Sequence, residues 1–520
     1  MGLGCMRLTT PHGGEERVSH VIRAALAAGI TIFDTARAYG DNERLVGRAL
    51  GDRARVVTKC GMSRPDGRWV PDGRARAVRA DAEASRAALG RAPDLLLLHA
   101  PDPRTPLATS VRALAEIRDA GGARGIGLSN VNRAQLDAAL ALTRIDAVEV
   151  ALGAFDDAPL RGGLVDCCAE RGILVLAHSP LGGPRRAGRL AGDETLGAIA
   201  AEHGVAPAQI VLAWLLDLGV VPLPGAGTVD HARAAGDAAR IALTGRDRER
   251  LAGRLGSRDR PKAPVAAEGE IVLLMGIPGA GKSRAAAEWV ARGYERLNRD
   301  ERGGRLRALH AELDARLAAG ARRIVLDNTY TTRAMRRDAL DAAARHGLPV
   351  RCVWLDTPLA AAQVNLVLRI LDRLGALPEP EALRRARDPA ILLPTTPGRL
   401  LRELEPPGAD EGFAAIDVVP FARAPGTGEP GAFVAAEVAG VDIPDPGPRL
   451  VFGWRPGEPG PGICPHPAGP PTCWCRPPLP GLPLVLARAH GVDPTKSVLV
   501  GRSAAHRQLA EAIGARFRAA

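Results

Sequence analysis

Eight short apolar runs, at residues 2–8, 31–35, 55–59, 94–99, 125–129, 147–152, 174–179 and 220–224, recur through the first 255 residues. Segments with helical periodicity, such as 15–28 and 193–218, separate them. Eight strand–helix repeats in a stretch of this size predict a (β/α)8 barrel. A doubly wound sheet would show the same alternation, but no glycine-rich dinucleotide fingerprint follows the first run. The whole chain has 520 residues, too many for one hydrophobic core, so further domains are expected.

Residues 256–269 are polar and proline-punctuated and read as a linker. A strand at 270–275 opens a second domain, expected over 270–423. Residues 424–448 read as a Pro/Gly-rich linker with a strand candidate at 433–438. A small module follows over 449–520, with a strand at 449–452 and a helix–strand–helix pattern from 484 to 517. Apolar residues at 46% and charged residues at 24% exclude a disordered chain and a membrane protein. No apolar run approaches the roughly 20 residues of a spanning helix. The first residues lack a signal peptide's charged and apolar regions, so a cytoplasmic location is expected.

A net charge of +11 admits a nucleic-acid or phosphate-bearing partner. Only four of the 69 cationic side chains are lysines: Lys59, Lys262, Lys282 and Lys496. That scarcity makes each lysine informative. Cys5, Cys60, Cys167, Cys168 and Cys352 lie in apolar contexts typical of reduced buried thiols.

Asp34, Lys59 and His99 end the second, third and fourth runs, and Tyr39 follows Asp34 by five residues. A barrel would bring all four to its C-terminal mouth. There a tyrosine can donate a proton to a carbonyl oxygen, and a nearby lysine would lower the phenol pKa from about 10. Asp34 would neutralise that lysine, and His99 would orient the carbonyl. The segments Gly-Ile-Thr-Ile-Phe-Asp34-Thr-Ala-Arg-Ala-Tyr39-Gly, Val-Val-Thr-Lys59-Cys-Gly and Leu-Leu-Leu-Leu-His99 resemble the aldo-keto reductase family. Gly-Ile-Gly-Leu-Ser129-Asn130, Ser179-Pro-Leu181-Gly182 and Pro224-Gly225 extend the resemblance over nearly all of 1–255. It implies a catalytic tetrad at Asp34, Tyr39, Lys59 and His99, and an NADPH or NADH cofactor. Ser129, Asn130, Ser179, Leu181, Gly182 and Gly225 are the implied cofactor contacts. Glu149, His178, Ala234 and Ala235 depart from the family's usual cofactor-binding residues. These departures leave a second reading, in which the barrel is a cofactor sensor without turnover.

Gly276-Ile-Pro-Gly279-Ala-Gly281-Lys282-Ser283 is a P-loop motif placed between a strand and a helix. Its backbone N–H groups would cradle ATP phosphates, Lys282 would reach the β/γ-phosphates, and Ser283 would ligate Mg²⁺. Asp327 ends a later strand in Walker-B fashion, and Arg369 and Arg373 lie at i, i+4 on a helix suited to a lid. With Asn298-Arg-Asp300, Val-Leu-Asp327-Asn-Thr329 and Val350-Arg-Cys-Val-Trp-Leu, the segment resembles polynucleotide 5′-kinases of the kinase–phosphatase repair type. The resemblance implies Asp300 as the general base and DNA or RNA 5′ ends as acceptors. Related P-loop kinases act on small alcohols or sugars, which is the alternative.

Cys464, His466, Cys473 and Cys475 form the ligand set of a Cys₃His zinc site. Residues 463–517 resemble the C-terminal part of zinc-loop phosphatases of the haloacid dehalogenase (HAD) superfamily. No Asp-x-Asp motif precedes them, Pro477 takes the expected lysine position, and Arg502 and His506 replace acidic positions. The expectation is a bound zinc without phosphatase activity, in a module serving as a structural or substrate-docking cap. The expected fold class is therefore α/β: a TIM barrel, a three-layer P-loop domain and a small degenerate HAD-like module.

Overall fold

The strands that the apolar runs predict pair in one parallel ring in the computed structural model. In chain order they are Gly2–Gly4, Ile32–Asp34, Arg55–Cys60, Leu95–Leu98, Gly125–Ser129, Ala147–Ala151, Leu174–His178 and Val221–Leu223. The ring closes through a parallel bridge between Gly4 and Gly225, where the Gly4 N–H donates to the Pro224 carbonyl at 3.0 Å. Val57, Leu97, Ala147, Leu176 and Leu223 fill its interior. The structure describes residues 1–9, 14–258, 268–303, 306–423, 426–443, 447–469 and 471–520.

Two expectations change here. The first strand stops at Gly4, and Met6–Leu8 form a 3₁₀ turn. Once Cys5 N–H donates to the Asp34 carbonyl at 2.8 Å, the chain has left the ring. The helix expected over 193–218 is two helices, Glu194–His203 and Pro207–Asp217. Gly204, at φ 68°, ends the first, and Pro207 starts the second at the position where its missing N–H costs nothing. Among the described residues no single helix is long and apolar enough to cross a membrane.

The chain divides into two compact units, Met1–Arg260 and Pro261–Ala520. In the second, a parallel sheet runs in the order Glu295–Asn298, Arg323–Asp327, Glu270–Met275, Val350–Asp356, Ala415–Pro420. Its central strand is apolar from Ile271 to Met275, as burial on both faces requires. Ile271, Leu273 and Met275 face one layer of helices, and Val272 and Leu274 face the other. A second parallel sheet has the order Ile463–Cys464, Arg449–Trp454, Ala432–Ala435, Val498–Gly501, Arg516–Ala519.

The expected linker over 424–448 therefore needs correction. Ala432–Ala435 is the central strand of that sheet, fully enclosed, with Phe433 and Val434 inaccessible to solvent. One helix packs against both sheets: Ala362 of Leu359–Leu374 meets Leu355 of the P-loop sheet. Val364, Val367, Ile370 and Leu371 of helix Leu359–Leu374 pack with Phe433, Leu484 and Leu509. Sequence patterning marks strands one at a time, so it missed that this helix serves both sheets.

Candidate functional site

Strand ends bring the tetrad together at the barrel mouth. Asp34 and Lys59 lie on adjacent strands, Tyr39 ends the 3₁₀ turn Arg37–Tyr39, and His99 directly follows Leu95–Leu98. Lys59 Nζ donates to Asp34 Oδ1 and to the Thr35 carbonyl at 3.2 Å, and lies 5.7 Å from the Tyr39 ring centroid. The Tyr39 and His99 rings meet edge-on with centroids 5.8 Å apart. Trp69, which sequence reasoning did not single out, covers both at 6.2 and 5.4 Å. Below them, Asn42 accepts from Thr35 Oγ1 at 2.7 Å and donates to the Cys5 carbonyl at 2.8 Å, fixing the loop that carries Tyr39.

Burial dominates the electrostatics. It would lower the Lys59 ammonium, but Asp34 and Glu149 outweigh it and hold Lys59 charged. The same burial pushes the Tyr39 phenol up to about 12 against the downward pull of Lys59. The expected net lowering of Tyr39 is thus reversed: desolvating a phenolate costs more than one neutralised lysine returns. Burial, then Lys59, brings His99 down to about 3, so it is a neutral imidazole.

Asn130 and Ser179 sit at φ 57° and 53°, a left-handed conformation that non-glycine residues rarely adopt. Asn130 Nδ2 donates to the His99 carbonyl at 2.9 Å and to Ser129 Oγ at 3.1 Å, and its Oδ1 lies 3.1 Å from His178 Nε2. Ser179 Oγ is 3.4 Å from the other His178 nitrogen. Three of the expected contact positions, Ser129, Asn130 and Ser179, are thereby linked, the last two through His178. Leu181 packs into the barrel core, Gly182 allows Phe155 to approach, and Gly225 forms the closing bridge. His99 Nδ1 is buried without a partner. That orphan, on the residue whose backbone carbonyl holds Asn130, fits a bound group with its own donors and acceptors, such as a nicotinamide carboxamide.

In the second unit the P-loop follows strand Glu270–Met275 and leads into helix Lys282–Ala291. Gly276 leaves the strand with its N–H donating to the Thr329 carbonyl at 3.1 Å. Gly279 has φ 86°, and a Cβ there would lie 2.3 Å from the Ala362 carbonyl, so the loop passes only as glycine. Lys282 Nζ turns back onto the Gly276 and Ile277 carbonyls at 2.9 and 3.0 Å, and burial brings it down to about 8. A cavity of about 1290 Å³ opens beside Gly281, Ser283, Asp300, Asp327 and Arg369. Arg369 Nε is buried with no partner, which fits an anionic group.

Asp327 accepts from Arg296 Nε at 3.1 Å and Asn298 Nδ2 at 3.0 Å. Asn298 in turn caps the short helix Arg299–Arg302, accepting from the Asp300 N–H at 2.7 Å. Arg373 needs correction: it pairs with Asp388 at 3.2 Å and does not line the cavity. Spacing places it on one face with Arg369, but the helix turns that part outward. Arg399 and Arg423 do line the cavity, and no sequence signal separates them in so arginine-rich a chain.

Cys464, His466, Cys473 and Cys475 place their ligand atoms within 4.8 Å of one another. Sulfur–sulfur distances of 3.7 and 3.2 Å and sulfur–nitrogen distances of 3.4 and 3.2 Å suit tetrahedral zinc, whose bonds run about 2.0–2.3 Å. His466 Nδ1 faces the thiols while Nε2 meets Glu379 at 2.8 Å, an orienting carboxylate the sequence did not reveal.

Comparison with known proteins agrees with the two larger parts. The aldo/keto reductase family model matches residues 1–253, and an AAA domain model matches 271–376. An aldo-keto reductase of Gibberella moniliformis is 33% identical over 191 residues, covering 35% of this chain and 58% of that protein. The chain thus spans less than two thirds of that relative. An uncharacterized oxidoreductase of Mycobacterium bovis is 33% identical over 266 residues, covering 44% of this chain and 79% of that protein. A thermostable aldo-keto reductase solved with the inhibitor epalrestat is 31% identical, with a TM-score of 0.43 over 48% of this chain and 93% of its own. Through residues 1–253 the chain belongs to the aldo/keto reductase family, with an AAA-type P-loop domain in the same polypeptide.

Proposed function

We propose that the barrel reduces small aldehydes or ketones with NADPH or NADH, and that Tyr39 is the proton donor. The observation that carries this reading is the meeting of Tyr39, Lys59, Asp34 and His99 at one mouth. A bound reduced nicotinamide supplies hydride to the carbonyl carbon. Tyr39, its phenol held protonated at about 12, gives its proton to the carbonyl oxygen. Lys59, 5.7 Å from the ring centroid, stabilises the phenolate left behind. Asp34 holds Lys59 in place, and neutral His99 can donate a hydrogen bond to the carbonyl without competing as an acid. Loss of NADPH absorbance with a panel of aldehydes and ketones tests this. Cofactor binding without turnover on any of them would favour the sensor reading.

We further propose that the P-loop domain transfers the ATP γ-phosphate to a polynucleotide 5′-hydroxyl, with Asp300 as general base and Mg²⁺ held through Ser283 and Asp327. Support comes from the P-loop, the unpartnered Nε of Arg369 and exposed Asp300 around one cavity that Arg399 and Arg423 also line. Cationic side chains beyond the donor phosphates suit a phosphodiester acceptor better than a neutral alcohol. Labelled ATP offered with 5′-hydroxyl DNA, RNA and small alcohols distinguishes the acceptors. Lys282→Ala should abolish transfer, and Asp300→Asn should lower it by at least about a hundredfold. Full activity in Asp300→Asn would move the base elsewhere. For the C-terminal module the proposal is one zinc at the Cys₃His cluster in a HAD-like structural or docking cap without phosphatase activity.

A further inference from the structure

Glu149 lies mid-strand in Ala147–Ala151, 2% exposed, and takes no part in the proton transfer above. Its Oε2 is 3.1 Å from Lys59 Nζ yet makes no hydrogen bond. Asp34, the other carboxyl on Lys59 Nζ, is buried with it and repels its ionised form. Two buried carboxylates on one ammonium leave an uncompensated negative charge unless one of them carries a proton. A single ammonium thus faces two acids, and the trio is neutral only while one of them is protonated; Lys59 Nζ donates to Asp34 and leaves Glu149 Oε2 without a partner, so the proton belongs on Glu149.

The groups facing this trio offer no other compensation. Cys5, behind Asp34, is a thiol kept neutral by burial. Ser129, the register partner of Glu149 on the next strand, is uncharged. His99 and His178, at the ends of their strands, are brought down by burial to about 3 and about 4. Tyr39 is a neutral phenol. Burial first, then repulsion by Asp34, pushes Glu149 up to about 8.

We propose that Glu149 is a positioning residue whose charge sets how much of the Lys59 field reaches Tyr39. As a neutral acid it leaves Lys59 free to stabilise the phenolate formed on proton donation; as a carboxylate it takes that stabilisation for itself. The only bond made or broken at Glu149 is to a proton exchanged with solvent. The inference rests on the reduction proposed for this site, but one of its tests does not need turnover.

Glu149→Gln in the full chain fixes the neutral form at nearly the same shape, and Glu149→Met removes the charge without an amide. Tyrosinate absorbance is titrated in the wild type and in each variant, with the matching Tyr39→Phe protein subtracted. Tyr39 should ionise about one pH unit lower in both variants, because a like charge near its lysine is gone. The wild-type reduction rate should fall several-fold as pH rises through about 8, while Glu149→Gln keeps its rate over that range. An unchanged Tyr39 titration in both variants, or the same alkaline fall in Glu149→Gln, would overturn the proposal. A wild type that reduces no carbonyl sinks the reduction reading instead, and the tyrosinate titration still decides the role of Glu149.

Discussion

His99 and His178 are uncharged in the fold but free to protonate once unfolded. Burial brings them to about 3 and about 4, against about 6.5 for an exposed imidazole. Between those values the unfolded chain binds more protons, so both residues lower stability as pH falls from about 6.5 towards 3–4. The first unit should therefore melt at progressively lower temperature across that window. Replacing both by glutamine should flatten the dependence; thermal unfolding followed by circular dichroism reads it directly. The chemistry of this site was legible because Asp34, Lys59 and His99 end apolar strands and lysine is rare. The ion pair of Lys59 with Glu149 was not, because it joins strands far apart in sequence whose contact exists only in the closed ring. Trp69 escaped for a similar reason: nothing near it in sequence marks the barrel mouth.

At the scale of elements, buried charge fixes where the P-loop sheet ends. Arg336, with no exposed surface, donates through Nε and Nη2 to Glu411 at 2.8 Å each and through Nη1 to the Tyr330 and Glu405 carbonyls at 3.0 Å. It ties helix Arg333–Arg345 to the segment leading into the last strand of that sheet. Arg336→Ala leaves buried Glu411 with only the Gly408 N–H at 2.9 Å and Arg333 at 3.6 Å, and should cost about 3 kcal/mol, measured by denaturant unfolding. Apolar patterning located the buried strands, including Glu270–Met275 to the residue. It missed Arg516–Ala519, an edge strand of four mostly exposed residues, too short for its Arg-Phe-Arg-Ala alternation to stand out. It marked a strand over 433–438 but left it in a linker, since the proline and glycine on either side gave no sign that Ala432–Ala435 is a central strand.

Across the whole molecule, each compact unit carries its own core and its own candidate chemistry. In the second unit the Cys₃His cluster also anchors what precedes it. His466 meets Glu379 at 2.8 Å, and the indole N–H of neighbouring Trp474 donates to the Leu392 carbonyl at 2.9 Å. Chelation should therefore lower the melting temperature of the second unit and leave that of the barrel unchanged, and zinc should restore it. Two unchanged transitions after verified metal removal would deny the site a structural role. The central claim, that the barrel is a working reductase whose proton comes from Tyr39, is tested most directly by one paired measurement on the full chain. NADPH binding and carbonyl turnover are compared in the wild type and Tyr39→Phe. Cofactor affinity should be nearly equal, because the phenol acts only in the chemical step, with turnover lost by at least about a thousandfold. Turnover in Tyr39→Phe within a few-fold of the wild type would contradict it.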